Sequence, residues 1–284
     1  MDHPVGREET IDVAGRQRTL WRAGDSGPLV LLVHGIPTNH TLWWDVVPRL
    51  HEHVRVVAVD MLGYGDSTAP AGTGVDIASQ ASALVDLLDA LGEERAVVAG
   101  HDLGGGVTQI LATTNPQRVA GAVIADGVCY DGWPVPGVKA LKLAWPVLER
   151  LPASALEKVL RTALRPLFAH QDRAGDAVDR FVAPWLEPGG GQRLARHLRA
   201  ADSVYTQTVA PFLPRLSMPV EVVWGMLDKQ MKPRYGERLA REIPGARFTP
   251  VPDANHFVPV DRPDVLADAV LRVVERAGVA SGEA

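Results

Sequence analysis

The stretch Arg95-Ala-Val-Val-Ala-Gly-His-Asp-Leu-Gly-Gly-Gly-Val107 decides the fold. A β-branched run at 95–99 passes through Gly100-His101-Asp102-Leu103-Gly104-Gly105 straight into a helical pattern over 104–114, which is a strand, a sharp turn and a helix with Asp102 at its apex. Glycines on both sides suit such a turn, because a side chain at 100 or 104 would collide with the adjoining strand and helix. A plainer reading stays open at this point: Asp102 as a helix-capping carboxylate in a glycine-rich turn.

Working outward, short apolar runs bounded by Gly, Pro or Asp recur at 19–23, 29–33, 55–59, 119–125, 220–224 and 247–251. Helical periodicity lies between them. Over 77–91, Ile77, Ala81, Leu84, Leu88 and Leu91 fall at steps of three and four before Gly92. Further helices are expected at 233–242 and 264–276. This alternation predicts an α/β fold with a mainly parallel sheet. It breaks over 127–217, a proline-rich segment with Trp133, Trp145 and Trp185, where only short helices such as 156–164 and 192–203 are expected. Strand-like sequence resumes at Val220. The expected organisation is therefore a core of 1–126 and 218–284 with a helical insertion at 127–217, most flexible at Pro188-Gly-Gly-Gly191.

Three more strand ends carry chemistry-bearing residues. The run 29–33 ends in His34-Gly35-Ile36-Pro37, where the N–H of Ile36 can join that of Leu103 as an oxyanion hole; an ordinary strand-ending turn is the alternative. The run 220–224 leads to Gly225-Met226-Leu227-Asp228, and 247–251 leads to Pro252-Asp253-Ala254-Asn255-His256. The order is nucleophile, acid, histidine, each just past the C-terminal end of a strand, where open α/β sheets place their sites.

From about residue 19 to 275 the chain resembles the α/β-hydrolase superfamily, with 127–217 in the place of its cap, and Asp60-Met61-Leu62-Gly63-Tyr64-Gly65-Asp66-Ser67 looks like a further loop of that family. An aspartate in Gly-His-Asp-x-Gly-Gly together with His-Gly-x-Pro is similar to the epoxide hydrolase and haloalkane dehalogenase branch. The resemblance implies Asp102 as nucleophile, His256 as base and Asp228 as its acid, with Asp126 an alternative acid. An aspartate suits displacement at an sp3 carbon: attack on an ester would give an anhydride that collapses backward, whereas an alkyl ester on Asp102 is stable until water cleaves it. At neutral pH such a nucleophile needs no base to ionise it. Where the dehalogenase pattern has Trp and Asn as halide donors this chain has Leu103 and Ile36, so the expected reaction is opening of an epoxide to a diol, with haloalkane dehalogenation or a ligand-binding role on the same fold as alternatives. The expected donors to the opening oxygen are Tyr205 and Tyr130, with His170 a further candidate; His34, Trp43 and Trp133 are expected around the pocket.

Composition narrows the rest. With 29 basic against 34 acidic residues the formal charge of −5 gives no reason to expect nucleic acid as partner. No apolar run approaches the ~18 residues of a membrane span, and the start Met1-Asp2-His3-Pro4 lacks a targeting pattern, so a cytoplasmic monomer or homodimer acting on a small, mainly apolar organic substrate is expected. A single cysteine, Cys129, suggests neither disulfide nor zinc centre, and His51 with His53 reads as solvated loop. No metal or cofactor is expected.

Overall fold

The computed structural model describes residues 5–278; Met1–Pro4, read above for targeting, lie outside them. The apolar runs become the buried centre of one eight-stranded sheet, in the order β1-β2-β4-β3-β5-β6-β7-β8. The strands are β1 (Arg7–Val13), β2 (Arg16–Ala23), β3 (Leu29–Val33), β4 (Arg55–Val59), β5 (Ala96–His101), β6 (Val119–Ala125), β7 (Val220–Gly225) and β8 (Arg247–Val251). From β4 through β8 neighbouring strands run parallel. Every residue of β3, β5, β6 and β7 is buried, which is why they read as continuous Val, Leu, Ile and Ala runs and not as alternating patterns. Each Val or Leu so buried stabilises the sheet by about 1.5–3 kcal/mol relative to exposure.

The antiparallel edge was not expected. β1 pairs with β2 across a two-residue turn, Ala14-Gly15, both at positive φ (53° and 74°) as a twisted hairpin requires. Its sequence, REETIDV, has only its last residue buried, so no apolar run marks it.

The helices are α1 (Ile77–Ala90), α2 (Leu103–Thr114), α3 (Pro136–Leu143), α4 (Ala153–Leu164), α5 (Gln171–Leu186), α6 (Gly190–Ala200), α7 (Val204–Val209), α8 (Pro233–Glu242) and α9 (Pro263–Arg276), besides shorter turns. Asp76 starts α1 by accepting the N–H groups of Ala78 and Ser79, both at 3.0 Å, and Gly92 at φ 72° ends it. Five of the nine, α3 to α7, lie between β6 and β7, and that interval contributes no strand to the sheet. The glycines at 189–191 are a packing device where the sequence suggested a flexible link: Gly189 turns the chain at φ 80°, and a Cβ on Gly190 would stand 1.8 Å from the Trp185 carbonyl.

The intervening helices are bonded to the core along several seams. Trp185 Nε1 donates to Pro37 O at 2.7 Å and Asn39 Nδ2 to Arg180 O at 3.0 Å. Arg196 donates to Ala69 O at 2.7 Å, and Asn255 Nδ2 to Pro166 O at 3.1 Å.

Candidate active site

Strand β5 runs two residues beyond its expected end, so Asp102 follows it without a spacer and begins α2 at φ 51° and ψ −117°. Such a backbone costs a non-glycine residue about 1–3 kcal/mol and persists only where the surroundings enforce it. They do so here through close approach: a Cβ on Gly104 would lie 2.0 Å from Val33 O, and one on Gly35 would lie 2.3 Å from Asp102 Oδ1.

The capping alternative fails on geometry. Asp76 shows what a capping aspartate does, while the Asp102 side chain makes no such bond into its helix. Its Oδ1 accepts the N–H of Ile36 at 3.0 Å, and the adjoining N–H of Leu103 favours its charged form. Burial raises the Asp102 carboxyl above its ordinary value, with His256 and these two N–H groups pulling the other way.

His256 faces it from the loop after β8. Its Nε2 is 3.8 Å from Asp102 Oδ2, and its Nδ1 donates to Asp228 Oδ2 at 2.8 Å. Asp228 is itself held by the N–H groups of Gln230 (2.6 Å) and Met231 (2.9 Å) on Oδ1. Burial depresses the His256 imidazole, but Asp228, then Asp102 and Asp261, outweigh it, so its pKa is raised. Below it, His101 Nε2 donates to His256 O at 2.7 Å, and burial keeps that second imidazole neutral.

The two candidate acids separate. Asp126, at φ 42°, does not touch His256; its Oδ1 accepts Gly225 N at 2.8 Å and its Oδ2 is buried without a partner. Burial and the nearby Asp228 push its carboxyl well above the usual range.

The expected oxygen donors do not converge on Asp102. Tyr130 donates its hydroxyl to Glu242 at 2.8 Å and lies under Arg238, 3.7 Å from guanidinium carbon to ring centre, where it lines a surface groove. Tyr205 is half-buried, and burial and the charges of Asp76 and Asp202 raise its phenol. His170 Nε2 is buried and has no hydrogen-bond partner. Of the pocket residues, His34 holds two turns together, donating from Nδ1 to Gly35 O (2.8 Å) and accepting Met61 N on Nε2 (3.0 Å), and burial lowers it to about 4. Trp43 is fully buried in the core. Trp133 donates to Thr206 Oγ1 at 2.7 Å, and that hydroxyl donates to Tyr130 O at 2.6 Å.

Sequence reasoning missed Asp261 and the role of His101. His101 was in plain view in the quoted turn. Asp261, just before Arg262-Pro263, belongs to no motif read in the sequence, yet its carboxylate accepts the N–H of Asn255 at 3.0 Å. Among the described residues no group of three or more His, Cys, Asp or Glu is placed to hold a metal ion, and Cys129 is buried and free. Among them, too, no helix is long and apolar enough to cross a membrane.

A carboxylate on a strained strand-to-helix turn, two backbone N–H groups upon it, and a histidine backed by an aspartate are assembled at the strand ends of a mostly parallel sheet. The family model for the alpha/beta hydrolase fold matches residues 28–263, and the chain belongs to that family and is a hydrolase. It is 28% identical over 268 residues to haloalkane dehalogenase 2 of Mycobacterium tuberculosis, covering 87% of each chain. It is 29% identical over 273 residues to the soluble epoxide hydrolase of a Corynebacterium species, covering 88% of this chain and 91% of the relative. Among solved structures, an alpha/beta hydrolase fold protein from Burkholderia ambifaria superposes with a TM-score of 0.85 at 26% identity, covering 94% of this chain and all of that one.

Proposed function

We propose that the protein is an epoxide hydrolase that forms an alkyl ester on Asp102, with 127–217 as its cap. The observation that carries this is the division of labour between the Asp102 oxygens: Oδ1 rests on Ile36 N at 3.0 Å, while Oδ2 is directed to His256 at 3.8 Å. In the first step Oδ2 attacks an epoxide carbon, the ring C–O bond breaks, and the departing oxygen takes a proton delivered by the His170 ring. The ester then has Oδ1 as its carbonyl oxygen, already in the oxyanion hole of Ile36 and Leu103.

In the second step His256 Nε2 removes a proton from water, and the hydroxide adds to the Asp102 carboxyl carbon. Negative charge develops on Oδ1, where the two N–H groups meet it. Collapse breaks the bond between the carboxyl carbon and Oδ2, the His256 imidazolium returns its proton to the leaving alkoxide, the diol departs, and the Asp102 carboxylic acid that remains gives its proton back through solvent to His170. Asp228 orients the ring and stabilises its cationic form. Similarity to a named epoxide hydrolase supports the reaction class. Leu103 and Ile36 offer no side-chain donor to a halide, which weighs against dehalogenation despite the similarly distant dehalogenase.

The test is to replace His256→Gln, incubate with epoxides and haloalkanes that the parent enzyme turns over, and measure intact mass. An adduct of the substrate's mass mapping to Asp102 is expected, because attack does not need the histidine and ester cleavage does. Absence of an adduct with every such substrate overturns the Asp102 ester; an adduct from haloalkanes alone transfers the assignment to dehalogenation.

A further inference from the structure

Asp261 ends the short helical turn Val258–Asp261 and is buried. Its carboxylate accepts N–H groups from two separate parts of the chain. From the cap, Ala169 N donates to both oxygens (3.1 and 2.9 Å) and His170 N to Oδ1 (3.0 Å), just ahead of α5. From the core, Asn255 N, the amide immediately before His256, donates to Oδ2 at 3.0 Å.

The neighbouring contacts repeat this pairing on both sides of the histidine. Asn255 sends its side chain to Pro166 O at 3.1 Å, Phe168 stacks on Phe257 with ring centres 4.4 Å apart, and Arg173 donates to Val260 O at 3.1 Å. Residues 166–173 thus touch the chain before and after His256, with one buried carboxylate at the junction. Removing either set of donors leaves that charge short of partners it cannot replace with water.

We propose that Asp261 is a positioning residue that makes seating of the cap and aiming of His256 a single event. When 168–170 lift, Asp261 loses three of its four N–H contacts and the loop carrying His256 loosens with them. The inference rests on the reading of 127–217 as a cap and His256 as the base, and it adds that ester cleavage proceeds only beneath a seated cap. The second step is thereby protected from an open pocket; the first does not use His256 and feels the lifting of 168–170 only through its His170 donor. His256 is faced by Asp228, Asp102, Asp261 and the neutral His101, so its titration reports on this assembly.

The test uses two variants of the full chain and readouts that need no substrate. Asp261→Asn removes the charge. Ala169→Pro removes one donor from the cap side and puts a methylene against the carboxylate; Phe168, at φ −99° and ψ 141°, already has the conformation a residue before proline adopts. Amide hydrogen exchange at 168–171 and 255–257 and the NMR titration of the His256 ring are measured in parent and variants. In Ala169→Pro, exchange at 255–257 is expected to quicken roughly tenfold or more, together with that at 168–171, and the His256 midpoint to fall. Exchange confined to 168–171 with an unmoved midpoint overturns the proposal. If Asp261→Asn does not fold, Ala169→Pro decides alone. On substrates of the parent, both variants are expected to accumulate the Asp102 adduct. A His256→Gln variant that forms no adduct indicts the ester mechanism; coupled exchange in its absence leaves the Asp261 linkage standing.

Discussion

Asp102 Oδ2 and His256 Nε2 stand 3.8 Å apart, beyond hydrogen-bonding distance, although both side chains are buried. A serine nucleophile would need that hydrogen bond to lose its proton; a carboxylate does not, and the imidazole is left free to act on something else. In the proposed reaction that something is water attacking the Asp102 carboxyl carbon. A single turnover in 18O-labelled water should therefore release diol carrying no 18O and leave the label on Asp102, as read by mass spectrometry of product and of the peptide containing residue 102. Label in the first-turnover diol would mean that water attacks the substrate directly.

Replacement of the two buried acids should have opposite consequences. Asp228→Asn removes the acceptor of the His256 Nδ1 proton and is expected to slow ester cleavage by roughly 10²–10⁴, with the adduct accumulating. Asp126→Asn keeps an acceptor for Gly225 N and is expected to change cleavage less than about threefold. Single-turnover rates on both variants distinguish them, and a larger loss at 126 reverses the assignment of the acid.

Asp126 also carries a stability signature. Its folded pKa is raised, so the folded state holds the proton more tightly than the unfolded one. Any stability from that carboxyl is fully present below about pH 4 and is lost as pH rises towards its raised folded value. Asp126→Asn, which cannot ionise, should therefore match or exceed the parent in Tm at pH 8 while differing least at low pH; calorimetry at both ends of the range checks it.

A second histidine–aspartate pair should dominate the alkaline limb of stability. His40 Nδ1 is 3.1 Å from Asp60 Oδ1, and Asp60 also accepts His40 N at 2.7 Å. Burial lowers the imidazole pKa, but Asp60 outweighs burial and raises it; reciprocally, burial would raise Asp60, and His40 holds it down. A raised histidine contributes fully below about pH 6.5 and is lost as pH climbs through its folded value. Tm should decline on the alkaline side of neutrality, and His40→Gln should flatten that decline while lowering Tm below pH 6. An unchanged slope would show that the pair is not the group responsible.

For the oxygen donor, His170→Ala is expected to slow adduct formation by roughly 10²–10⁴, whereas Tyr130→Phe and Tyr205→Phe should alter it by less than about threefold. Stopped-flow quench with mass detection in a His256→Gln background isolates that step. A large loss in either tyrosine variant with none in His170→Ala returns the role to the aromatic pair.

The donors show where sequence stops being legible. Central strands and the residues at their ends could be read because burial on both faces writes itself as unbroken Val and Leu runs, and because the turn at 102 requires glycine on both sides. β1 could not, because only its last residue is buried. Tyr205 had a plausible place in the chain, but each residue of a helix points about 100° from the last. The inward positions of α7 are Thr206 and Val209, which turns residue 205 aside. Asp261 was hidden for another reason: its donors come from 91 and 92 residues away in sequence as well as from beside it, and no local pattern carries that information.

The bond from His101 to His256 spans 155 residues, and the helices from α3 to α7 fall inside that span. Loop-closure entropy grows only with the logarithm of length, so lodging roughly ninety extra residues there costs under about 1 kcal/mol. An insertion that cheap is free to lengthen, shorten or be exchanged as lineages diverge, while the strand ends beneath it stay put. On the proposed reading, the segment that covers the substrate is thus one whose length the demands of folding leave almost unconstrained.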